Sequence, residues 1–194
     1  MAGAEPDEVS ATLALKEAVS LWRLSGAMHM AEVIDAATDC LVAGLDSPSL
    51  RILAGASPRE STFELEPLIL ASLEELGHAD LLQTNIQREA LRAMSRRYRR
   101  GAISARELAA WAHTHVGHDG PADCQPLVVL DDMYDEGEYL GYDIAELDRW
   151  TQLEAEALLD GLRSPGTTEG YGTPVPSVRP STSRLRRWLS RRTT

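Results

Sequence analysis

Apolar residues recur at helical spacing along most of the first 162 positions, with little strict alternation. Val9, Leu13, Ala14, Leu21, Trp22 and Leu24 make a stripe for a first helix that Asp7 or Ser10 can cap and Ser25-Gly26 ends. Met28, Met30, Val33, Ile34, Ala37, Cys40 and Leu41 make a second, stopped at Gly44, with both methionines read as core filler. Asp46-Ser47-Pro48 is a cap followed by a first-turn proline, so a short helix is expected from Ser49 to Ala54. Thr62 opens a longer one through Leu65, Leu68, Ile69, Leu73 and Leu76. Proline suits only the first turn of a helix, so Pro67 draws the expected start towards Glu64.

The second half keeps the same period. A helix beginning near Leu81 or Asn85 and ending at Arg100 buries Ile86, Ala90, Leu91, Met94 and Tyr98. Ser104 and Glu107 have capping-box spacing, and the helix they open reaches Val116 before Gly117 stops it. A helix over 122–138 turns Leu127, Leu130 and Tyr134 inward. Asp143 opens the last, from Ile144 to Leu162, with Leu147, Trp150, Leu153, Ala157 and Leu158 on its apolar side. The expected fold is all-α, with about seven helices in one compact bundle or two packed halves. The divisions are an N-terminal helical subdomain, 1–80, an acidic helical bundle, 81–162, and a Pro/Ser/Thr-rich segment with a basic end, 163–194.

Charge sharpens this division. The net charge is −11. Residues 163–194 carry seven arginines and one glutamate, about +6, which leaves the body near −17. Such a body repels nucleic acid and anionic lipid and attracts cationic partners. The segment 163–194 reads as a disordered tail, idle or docked on the protein's own acidic body, or touching another anionic surface through Leu185, Trp188 and Leu189. Residues 49–76 have a helix-turn-helix outline, and a DNA-binding regulator is the third functional reading. Glu60, Glu64, Glu66, Glu74 and Glu75 crowd the would-be reading helix, which argues against it. The arginines of 88–100 are expected to be neutralised by neighbouring acidic helices. Cys40 and Cys124 are too few for a disulfide framework, and neither a signal-peptide pattern nor a membrane-length apolar run is evident. A cytoplasmic setting with reduced thiols is expected.

Two stretches carry candidate chemistry. His113, His115 and His118, followed by Asp119, could supply imidazole and carboxylate ligands to zinc. The run resembles the His-x-His-x-Asp-His motif of metallo-β-lactamase-fold hydrolases over about eight residues. It departs where Gly117 replaces the aspartate, and the helical Arg106–Ala112 replaces that family's buried strand. The competing reading places the histidines at a helix C-terminus, where they meet the last carbonyls and the macrodipole. No cofactor is therefore required, and zinc belongs to the alternative reading of a zinc-binding protein or metal-dependent hydrolase.

The second stretch holds Asp131, Asp132, Tyr134, Asp135, Glu136 and Glu138. Asp131 with Asp135, and Asp132 with Glu136, are like-charge i,i+4 pairs that cost a helix a few tenths of a kcal/mol each. Such a helix suits either a solvated or internally paired face, or one that receives cations. The run Arg96-Arg-Tyr-Arg-Arg-Gly-Ala-Ile-Ser-Ala-Arg-Glu-Leu, followed by Leu130-Asp-Asp-Met-Tyr-Asp-Glu, resembles the helical immunity proteins of the colicin D type over Ile86 to Leu162. That resemblance implies a helix bundle whose acidic surface blocks a basic RNase toxin. It makes Asp131, Asp132, Asp135, Glu136 and Glu138 the carboxylates that mimic substrate phosphates. The leading functional expectation is a non-enzymatic protein that binds a basic protein partner through this face.

Overall fold

A computed structural model of the chain describes residues 7–140 and 142–161, the side chains of 138–140 excepted. The expected basic tail, 163–194, and the side chain of Glu138 lie outside the described residues. The described residues form eight α-helices and two short 3-10 turns, with no strand among them, so the fold is all-α. No helix among them is long and apolar enough to cross a membrane. The described residues divide into two compact units, with the boundary between Ala93 and Met94.

In the first unit, α1 spans Glu8–Ser25, α2 Met30–Val42, α3 Pro48–Ala54 and α4 Thr62–Glu75. Each of the first three packs on the next in chain order. Asp7 caps α1 by accepting from the Ser10 N–H at 2.9 Å, which holds its carboxyl below the usual range. A 3-10 turn, Gly26–His29, precedes α2. The turn breaks the expected register: Met30 is buried, whereas Met28 is 79% exposed and no core filler. Val9, also assigned to the apolar stripe, is exposed; the buried side of α1 comprises Ala11, Leu15, Ala18, Val19, Leu21 and Trp22. At the end of α1 the Arg23 guanidinium donates to the carbonyls of Leu81 and Leu82, anchoring the second 3-10 turn, Ala79–Gln83.

α4 corrects the expectation about Pro67. The helix starts at Thr62, and Pro67 lies inside it. Ser61 and Glu64 form a full capping box that fixes the earlier start. The carbonyl that Pro67 leaves without an intrahelical donor belongs to Phe63, whose residue is 87% exposed, so water can satisfy it.

α5, Ile86–Arg99, contains the division between the units and buries Ala90, Leu91, Ala93, Met94 and Ser95. Asn85 accepts from the Arg88 N–H at its start, and Arg92 pairs with Glu89 of the same helix at 2.8 Å. The second unit continues with α6, Ala105–His115, α7, Gln125–Leu140, and α8, Ile144–Asp160, which pack pairwise against one another. Leu108, Ala109 and Ala112 of α6, Leu127, Val128 and Leu130 of α7, and Leu147 and Leu158 of α8 are buried. Leu153, placed on the apolar side of α8 by spacing, is exposed, as is Ile144 at its start; buried Thr151 and Glu154 stand there instead.

Candidate functional site

The site grows from the packing of α6 on α7. Ser104 opens α6 with the capping box its spacing predicts: its hydroxyl accepts from the Glu107 N–H, and Glu107 accepts from the Ser104 N–H at 2.7 Å. That backbone bond, and then the Ser104 hydroxyl, hold the Glu107 carboxyl below its ordinary range. With this end pinned, Arg106 and His113, about two turns apart, project towards α7. The helix stops at Val116, and Gly117 takes a positive φ of 65°. The chain then turns through His118 to Gly120, where Gln125 donates to the carbonyls of Gly117 and Gly120.

The turn at Gly120 is tightly filled. A Cβ there would lie 2.3 Å from Val116 Cγ1 and 3.0 Å from the Val116 carbonyl oxygen. Val116 is buried and the carbonyl is backbone, so neither yields easily. Gly120→Ala is expected to cost about 1–3 kcal/mol, read as a lower urea midpoint with unchanged slope.

The histidine run and the acidic stretch, separate in the sequence, meet here. His113 Nδ1 lies 2.9 Å from Asp131 Oδ2 and 3.4 Å from Asp132 Oδ1. His118 Nε2 lies 3.4 Å from Asp132 Oδ2. The two imidazoles stand edge to face, with centroids 5.1 Å apart. Arg106 binds the other end of the acidic row. Its Nη1 is 3.2 Å from Asp131 Oδ1 and donates to the Asp131 carbonyl, and its Nη2 pairs with Asp135. Its guanidinium also lies over the Tyr134 ring, 5.1 Å from the centroid.

Asp131 is buried at 7% exposure. Its Oδ1 has no aligned hydrogen-bond donor, so the Arg106 charge offsets its desolvation. Tyr134 is buried beside it and donates to Asp148 at 2.6 Å, with Thr151 Oγ1 at 3.3 Å. Burial first, then that bond to a carboxylate, push the Tyr134 phenol well above its usual range. Asp132 is half-buried, and Asp135 and Glu136 are exposed. These three follow i, i+3, i+4 spacing and share one stripe of α7.

The remaining predicted residues lie apart from this cluster. His115 stacks on Trp111 with centroids 4.5 Å apart, and its Nδ1 lies 3.0 Å from the Trp111 carbonyl oxygen, the helix-end arrangement. Asp119 is exposed in the turn and is not gathered with His113 and His118. Asp132 takes that place: His113, His118 and Asp132 offer ligand atoms all within 4.8 Å of one another. By sequence alone Asp132 belongs to the acidic stretch and Arg106 reads only as part of a helix. Arg106 sits on the exposed flank of a capped helix, 25 residues from Asp131, and only the α6–α7 crossing joins them.

Comparison with known proteins adds no relative. No protein-family model matches the chain, and neither a curated protein nor a solved structure does.

Proposed function

We propose that the protein is a non-catalytic binding protein whose α7 face receives a basic protein partner, with inhibition of a basic nuclease toxin as its concrete form. The observation that carries this reading is the stripe Asp132, Asp135 and Glu136 on a helix whose opposite side is buried. Against the four carboxylates Asp131, Asp132, Asp135 and Glu136 the cluster sets one guanidinium, Arg106, which pairs with Asp131 and Asp135, and two imidazoles, so the row retains a negative surplus. The internal contacts hold Asp131 and Asp135 in place, which lowers the ordering cost of binding. The colicin D-type resemblance supports the same reading and assigns the partner class.

The internal contacts also determine the test. Asp131 is buried and cannot be neutralised without disturbing the helix pair, whereas Asp135 and Glu136 are exposed. The full chain, immobilised as wild type and as the Asp135→Asn, Glu136→Gln double variant, is exposed to extract of the source cells at low and high salt. A basic protein held by the wild type, released by salt and held about tenfold more weakly by the variant is the expected result. Equal retention by both chains would remove the interface from α7.

A further inference from the structure

We infer that His113, His118 and Asp132 form a binding site for a borderline divalent transition-metal ion of the zinc class. The site needs no partner protein and does not rest on the proposal above.

Zinc held at about 2.0–2.2 Å by nitrogen and oxygen in a tetrahedron sets its ligand atoms about 3.3–3.6 Å apart. His118 Nε2 and Asp132 Oδ2 are 3.4 Å apart. His113 Nδ1 and Asp132 Oδ1 are also 3.4 Å apart. One atom from each of the three residues falls within a 4.8 Å span. Two imidazoles with one carboxylate favour zinc, cobalt or nickel over magnesium or calcium, which prefer all-oxygen shells.

The scaffold suits a clip. His113 lies in the last turn of α6, His118 in the tight turn beyond Gly117, and Asp132 near the middle of α7. An ion bound by all three would fasten the turn to the helix on which it folds back. Asp131 Oδ2 lies 2.9 Å from the same His113 nitrogen, so an ion bound at Nδ1 replaces that hydrogen bond and the imidazole releases its Nδ1 proton. His118 is exposed and Asp132 half-exposed, so an ion can enter from solvent. Three protein ligands leave a fourth position for water or a small anion.

The test uses the full chain, purified without a histidine tag and stripped with chelator. Zinc is titrated by calorimetry, and cobalt by its visible absorption, which reports a tetrahedral site. The wild type is expected to bind one equivalent and to unfold at a higher temperature when loaded. His118→Ala and Asp132→Asn are each expected to weaken binding at least about hundredfold and to abolish that rise, with the apo helical circular dichroism retained. His115→Ala, which alters the ring on Trp111, is expected to bind as the wild type does. Absence of zinc binding, or binding that survives His118→Ala and Asp132→Asn, would overturn the assignment.

Discussion

Arg106→Ala is expected to destabilise the protein by about 3 kcal/mol, more than Asp131→Ala does. The asymmetry follows from burial. Asp131 has an 11% exposed side chain, and Arg106 has one 42% exposed. Removing Asp131 leaves a guanidinium that water reaches and an imidazole that is also accessible, so the remaining groups are resolvated and the loss is about 1–2 kcal/mol. Removing Arg106 leaves the Asp131 carboxylate buried with no nearby guanidinium, and strips Asp135 and the Tyr134 ring of the same cation. The double variant should then be no less stable than Arg106→Ala alone, because the orphaned carboxylate is gone. Urea unfolding of the full chain measures all three variants. A smaller loss for Arg106→Ala than for Asp131→Ala would mean that Asp131 is more hydrated than its burial indicates.

Leu50→Ala is expected to cost about 3–4 kcal/mol. α3 has seven residues, too few to persist as a helix in water without tertiary support. It packs on α2 and α4, and its fully buried side chains are Leu50 and Leu53. Shortening Leu50 therefore opens a cavity and also weakens the hold on the element that frames it. Ile52→Ala on the same helix is the internal comparison: Ile52 is 59% exposed, and its loss should stay within about 0.5 kcal/mol. Equal urea midpoints for the two variants would contradict the packing of α3.

Helix existence was largely legible because local chemistry determines it. The Ser104 and Glu107 box and Pro48 after Ser47 place helix starts that the structure repeats. Misjudged positions lie where a local signal met a second constraint. Pro67 points to a later start, but the Ser61 and Glu64 box fixes an earlier one. Met28 matches a helical stripe only if the helix begins before the 3-10 turn that in fact precedes it. The candidate site was half legible. Its acids and histidines could be named from composition, but their meeting depends on how α6 crosses α7, which no periodicity encodes. For the same reason nothing in the sequence marks Arg106, and Asp132 reads as part of one stretch although it touches both His113 and His118.

The like-charge pairs along α7 have a consequence for the order in which the chain acquires structure. Asp131 with Asp135, and Asp132 with Glu136, oppose helix formation wherever α7 stands alone. α6 brings its own capping box and the cations that relieve this repulsion. α6 therefore carries its own start signal, whereas α7 becomes a good helix only once it lies against α6. Secondary and tertiary structure form together at that crossing, so a nascent chain released before Glu136 has no reason to hold this region in its final shape.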